Sequence, residues 1–325
     1  MREGRLVRTA FTRLVVVLAC WAATPSRAQD APAVETIHVG TYLNQITGID
    51  LKNNAFGVDF WIWFRWRDAT LKPAETFEII GGRILSRSTF IRKEFDGGVH
   101  YAACRVAATI TKYWDLSRYP FDDHTLVIRI EDAEIDETRG LYIVDVANCG
   151  VDEEVTLAGW SIAGCRHDVA RRRYTTNYGD TSLATGAESW YSRYTLSIDV
   201  ARTGRARFFK VFFGLFMATL VSWCGFFIRA KDPGARVSVS VGSLFAAAAV
   251  MVSLNNSLPD SNVITLGDQL IFLSLGMILV SLLGSVTAVT LNYLERDLTS
   301  RRIDRVAAVL FPTVYLAALW LLVRG

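Results

Sequence analysis

Side chains able to do chemistry are few and scattered. The chain has 325 residues with five cysteines and four histidines. No spacing among His38, His100, His124, His167 and the cysteines resembles a zinc site. There is no Gly-rich phosphate loop and no nucleophile motif. No catalytic residue, metal or cofactor is expected, and an enzyme has no support. The formal charge of +3 is too small for a nucleic-acid binder. Hydrophobic residues make up 51% and charged residues 21%, which excludes a disordered chain and points to a membrane.

The charge is unevenly placed. Residues 1–28 carry five basic side chains against one acidic, residues 29–206 carry 20 against 25, and residues 207–325 carry ten against six. The first piece reads as a signal peptide, with a basic start, the short apolar run Leu14–Ala23 and Ser26-Arg27-Ala28 at the cleavage position. Four later segments are long and apolar enough to cross a bilayer: Phe208–Ile228, Val237–Leu254, Val263–Leu294 and Val306–Val323, the last containing Pro312. Arg229, Lys231 and Arg236 crowd the first connection, and Arg296, Arg301, Arg302 and Arg305 the third. The second has no Lys or Arg. The positive-inside rule puts the first and third in the cytoplasm, and residues 29–206 and the C-terminus outside.

Residues 29–206 read as β. Phe56–Trp66 is dense in aromatic and β-branched residues, and Asp96-Gly97-Gly98 reads as a hairpin turn. Thr125–Ile130, Leu141–Val146 and Tyr194–Val200 are further strands, and short strands with recurring turns suggest a β-sandwich. Cys104, Cys149 and Cys165 would face an oxidising compartment. Cys149 with Cys165 is the first candidate for a bridge, and sequence leaves the connectivity open.

A signal peptide, a sandwich and four helices, with the following motifs in order, resemble the pentameric ligand-gated ion channels, the Cys-loop receptor superfamily, in its bacterial form. Trp61-Ile62-Trp63-Phe64-Arg65-Trp66-Arg67-Asp68 resembles the family's second strand. Asp115 to Asp122, with Tyr119-Pro120-Phe121-Asp122 at its core, resembles the signature loop. Gly159-Trp160, Arg205 ahead of the first helix, and Leu258-Pro259 after the second match further family positions. Lys112 and Leu126 stand where the loop cysteines would be, as in bacterial members, which lack that bridge.

The resemblance implies a periplasmic immunoglobulin-like β-sandwich, residues 29–206, above a four-helix transmembrane domain, residues 207–325. It implies a homopentamer around a central pore, with membrane lipid as a partner, in the bacterial inner membrane. Ser238, Gly242, Phe245, Ala249 and Val252 would line the pore. At 100° per residue they fall within about an 80° arc, so one stripe is geometrically consistent. The Phe245 ring and the apolar positions beyond it would close the pore by dewetting. The inner mouth, Asp232 with Gly234-Ala235-Arg236, has no Glu and looks like that of anion-selective members, so anion or poorly selective conduction is expected.

By the same resemblance, Asp122 pairs with Arg205, with Asp50 as third member and Pro120 and Pro259 in the coupling loops. A small molecule or ion would bind between subunits. Trp61 matches the aromatic position on one side and Trp63 lies beside it. Trp190, Tyr191 and Tyr194 lie in the capping-loop region, and Glu131 begins an acidic stretch where an aromatic is usual. An aromatic cage would suit a cation. Ala247 stands where proton-gated bacterial members carry a His. The competing expectation is a periplasmic sensor or adaptor that kept the fold without conducting.

Overall fold

The computed structural model describes residues 34–324 except 180, 182, 183, 185, 204, 205 and 261. The expected signal peptide, residues 1–28, lies outside the described residues. Ten strands come first: β1 (Glu35–Asp50), β2 (Ala55–Trp66), β3 (Phe77–Ile79), β4 (Gly82–Phe95), β5 (Val99–Thr111), β6 (His124–Asp132), β7 (Gly140–Val144), β8 (Gly150–Val151), β9 (Trp160–Tyr174) and β10 (Ser189–Arg202). A one-turn helix α1 (Pro73–Thr76) precedes β3.

One sheet has the order β4-β5-β2-β1-β7, with β8 also on β1, and the other the order β3-β6-β10-β9. They form a β-sandwich because the inner strands alternate. On β2 Phe56, Val58, Phe60, Ile62, Phe64 and Trp66 are buried while the residues between them are not. Leu126, Ile128 and Ile130 of β6 and Tyr194, Leu196, Ile198 and Val200 of β10 share the same core. A period of two puts every second side chain on one face. The β4–β5 hairpin turns at Gly97 and Gly98, with φ of 82° and 70°, a region open to glycine and costly for other residues.

Four long helices follow: α2 (Ala206–Cys224), continued by a 3-10 turn Gly225–Phe227, then α3 (Pro233–Ser257), α4 (Leu266–Tyr293) and α5 (Asp297–Arg324). All four are long and apolar enough to cross a membrane. Pro233 opens α3, where its missing N–H costs nothing. Thr265 and Asp268 form a capping box at the start of α4. Ser222, Ser240, Ser274, Ser281, Ser285 and Ser300 are buried where the helices meet, small residues that let backbones approach. Pro312 lies within α5 without ending it.

Candidate functional site

Asp122 follows the loop between β5 and β6 and is buried. Its Oδ1 accepts a hydrogen bond from Arg202 Nε at 2.7 Å, and its Oδ2 one from Arg202 Nη2 at 3.1 Å. His124 Nε2 lies 2.7 Å from the same Oδ2. Burial pushes the Asp122 carboxyl up, but the bonds from His124 and Arg202 outweigh it and hold the group below the usual carboxylate range. The Arg202 guanidinium covers the Trp160 ring at 4.2 Å and the Tyr119 ring at 5.1 Å. The His124 ring meets Trp114 edge-on at 4.9 Å.

The helices begin directly below. Phe121 stacks on Phe208 of α2 at 5.3 Å. Ser117 O accepts from Leu266 N, the first residue of α4, at 2.9 Å. Lys52 Nζ, in the β1–β2 turn, reaches Asn255 O near the end of α3 at 3.4 Å. Pro120 is buried in its loop, and Pro259 follows the last turn of α3.

The guanidinium described on Asp122 is that of Arg202, the last residue of β10; the expected partner Arg205 lies outside the described residues. One expectation changes here. Asp50 is not a third member. It is exposed, and its carboxylate accepts from Asn53 N at 3.0 Å and Asn53 Nδ2 at 2.7 Å, closing its own turn. Those two bonds hold it below its ordinary value.

On α3 the five residues Ser238, Gly242, Phe245, Ala249 and Val252 are all exposed, Phe245 by 72% and Val252 by 59%. The opposite face, Arg236, Ser240, Ser243, Ala247 and Leu254, is buried against the rest of the bundle. Asp232, Gly234 and Ala235 are exposed ahead of it. Arg236 corrects the expectation of a mouth residue. It is fully buried, and its Nη1 and Nη2 donate to Asp304 of α5 at 3.1 and 2.5 Å. It stands two positions before Ser238, a turn of about 200°, so it faces away from the exposed stripe.

The aromatic candidates divide between the two sheets. Trp61 and Trp63 are half-buried on the outer face of the six-stranded sheet. Trp63 Nε1 donates to Asp145 Oδ2 at 2.9 Å. At the other sheet, Glu131 is buried, paired with Arg193 and accepting from Tyr174 OH at 2.9 Å. Tyr191 meets Tyr174 edge-on at 5.7 Å. The exposed Trp190 lies under the Arg171 guanidinium at 5.0 Å, and Arg171 pairs with Glu137. Tyr174 and Arg193 therefore join the candidate group around Glu131, and the sequence reading did not name them. Both alternate outward with the core residues of β9 and β10, the signal that would have found them.

Tyr194 leaves the candidate set. It is fully buried, its hydroxyl 2.7 Å from both Thr41 Oγ1 and His167 Nδ1. It shares the core-facing period of β10 with Leu196 and Ile198. Cys149 and Cys165 are both free thiols. Their sulfurs lie 3.8 Å from Tyr194 OH and 3.6 Å from His167 Nε2, and burial pushes the Cys165 thiol up to about 11.

No family model matches the chain. Over 307 residues it is 23% identical to a proton-gated ion channel of Gloeobacter violaceus, a match spanning 87% of this chain and 81% of the relative. It is 26% identical over 183 residues to a gamma-aminobutyric acid receptor subunit beta-like of Drosophila melanogaster, spanning 54% of this chain and 33% of the relative. It is 24% identical over 190 residues to the human gamma-aminobutyric acid receptor subunit rho-2, spanning 58% and 38%. The chain thus spans less than half the length of the receptor subunits and most of the length of the bacterial channel.

Proposed function

We propose, from the chain's membership of the Cys-loop receptor superfamily of pentameric ligand-gated ion channels and its character as a multi-pass membrane protein, not an enzyme, that five copies enclose a pore lined by α3. The observation that carries this reading is the bare stripe of α3. An aromatic and a valine exposed at 72% and 59%, in line with Ser238, Gly242 and Ala249, need either lipid or neighbouring copies around them. The stripe carries Gly and Ser at one end and broadens to Phe at its middle, a shape suited to a hydrophobic constriction once copies surround it. Phe245→Ala, reconstituted in planar bilayers, should raise the leak current or shift gating. Wild-type current from that variant would remove the gate from Phe245.

Conduction is anion-preferring or poorly selective. The first turn of α3 holds no acidic residue, Arg236 is spent on Asp304, and the positive end of the helix faces the mouth with Asp232 as the nearest acid. Reversal potentials in a salt gradient decide this, and a strong cation preference would refute it. The signal peptide covers 1–28, the periplasmic region 29–206 and the pore region 207–325. On this reading the chain sits in the bacterial inner membrane, and the basic first and third loops support an orientation with its β region and C-terminus outside.

The ligand, a small molecule or ion, binds between copies. Trp61 and Trp63 point outward from one sheet, and Tyr191, Trp190 and the Glu131–Arg193–Tyr174 group lie at the other. A single copy does not bring the two groups together, whereas a ring of copies does. The Asp122–Arg202–His124 group then couples that site to α2, α3 and α4 through Phe121, Lys52 and Ser117.

A further inference from the structure

We propose that ordered waters are bound inside the helix bundle, between α2, α3 and α4 in the half remote from the sheets, where they bridge Ser240 and Ser243 of α3 to Ser222 of α2 and Ser285 of α4. All four side chains are at most 3% exposed. None of their hydroxyl oxygens has a hydrogen-bond partner in the protein. A serine or threonine in a helix can settle this on the carbonyl four residues back. Thr219, Thr287, Thr290 and Thr313 do so, at 2.8 or 3.0 Å. The four serines do not. A hydroxyl left unpaired in an apolar interior costs free energy, and several that converge form a polar seam that water satisfies.

Gly225 locates the seam. A Cβ built there would stand 3.9 Å from Ser240 Oγ and 4.0 Å from Ser285 Oγ, so both hydroxyls face the same point beside the Gly225 backbone. Ser222 lies three residues back along α2, and Ser243 three residues on along α3. The start of α2 and the end of α3 both meet the sheets' loops, so both steps climb one turn toward the sheets. At the other end Arg236, one turn before Ser240, has an unpartnered Nε. Asp304, which binds Arg236, lines a surface cleft of about 360 Å³, which gives water a way in. The seam sets α3 apart from its neighbours. Direct bonds tie the other helices together: Trp223 Nε1 to Ala308 O at 2.8 Å, Ser281 Oγ to Ser222 O at 3.0 Å and Ser300 Oγ to Ala288 O at 2.9 Å. Among the described residues, 237–247 of α3 make no side-chain hydrogen bond to another helix, and the first turn is held by Arg236 on Asp304. Water bridges let α3 shift against α2 and α4 while each hydroxyl keeps a partner, whereas a direct bond would have to break. The inference rests on the packing inside one copy and not on the pore, so its failure would leave the channel reading untouched.

The test is water-edited solid-state NMR of the full-length chain, isotopically labelled on serine and reconstituted in lipid bilayers, which reads how fast magnetisation passes from water to each serine. The chain carries its own references. Ser88 of β4 is exposed, and Ser274 of α4 is buried with its hydroxyl 2.9 Å from that of Tyr315. Transfer to Ser240 and Ser285 should be at least about threefold faster than to Ser274, as for groups in contact with bound water. Ser240→Ala and Ser285→Ala assign the two signals. Gly225→Val, which fills the point between them, should slow both to the Ser274 rate and leave Ser88 unchanged. Ser240→Ala with Ser285→Ala should lower the melting temperature, because it strips the waters of their partners, whereas removing dry, unpaired hydroxyls would raise it. Transfer to both serines no faster than to Ser274 would overturn the proposal, as would a melting temperature raised by the Ala pair. Rates unaffected by Gly225→Val in a folded chain would place the water elsewhere and overturn it as well.

Discussion

Asp122 is the residue on which the junction depends. It receives three short contacts from two cationic or protonatable side chains, and two aromatic rings lie against the arginine that binds it. Removing one partner from a buried pair of this kind costs about 3–5 kcal/mol, because the survivor keeps its burial and loses its counter-charge. Asp122→Asn and Arg202→Ala should each lower thermal stability and abolish ligand-evoked current, while chromatography still shows the assembled oligomer. Normal gating in either would exclude the coupling role. The pH dependence has a fixed sign. The folded carboxyl titrates below its unfolded value of about 4, so its contribution is complete above that value and disappears as pH falls through the lower folded one. The stability gap between wild type and Asp122→Asn should therefore be flat from about pH 5 to 7 and close only in stronger acid. Melting curves over a pH series would show it, and a gap that closes near neutrality would refute it.

At the scale of elements, the pattern of the sequence carried most of the architecture. Alternation on β2, the Asp96-Gly97-Gly98 turn and four apolar segments all correspond to observed elements, and α3 exposes the five residues that the resemblance selected. The misplacements have one cause: a motif names a residue type, and the geometry of its element decides where the side chain goes. Tyr194 shares the aromatic type and the region of Tyr191, but three residues along a strand reverse the face. Arg236 adjoins the mouth residues in sequence, but the helix turns it inward onto Asp304. The exact strand end that presents Arg202, and the turn that Asp50 closes on Asn53, depend on backbone detail that spacing does not encode. Arg236 gives the prediction at this scale. Arg236→Ala should destabilise the bundle by about 3–5 kcal/mol by stranding Asp304, and Asp304→Asn by a similar amount. Replacing both with apolar residues of like size should recover much of the loss. Reversal potentials should hardly move in any of these variants, because the guanidinium is 0% exposed and faces α5. A large shift in selectivity would return Arg236 to the pore.

For the whole molecule, the decisive feature is that the two halves of the proposed ligand site face outward from different sheets of one copy. In a ring built from head-to-tail contacts, each interface takes one face from each neighbour. Two crippled chains can then repair each other. A chain with Trp61→Ala still offers an intact Tyr191 face, and a chain with Tyr191→Ala still offers an intact Trp61 face. Either variant alone has five damaged interfaces. Mixed in equal amounts and assembled at random, about one interface in four joins the two intact faces. Co-expression should therefore restore part of the ligand response that each variant lacks alone, at an unchanged apparent affinity for the repaired interfaces. A site confined within one copy predicts no recovery at any mixing ratio. The measurement is a dose–response of current, or of ligand binding to the purified oligomer, across mixing ratios, with recovery largest near equal amounts. A monotonic dilution curve would place the ligand inside a single copy and break the link between the outward-facing tryptophans and the tyrosine cluster.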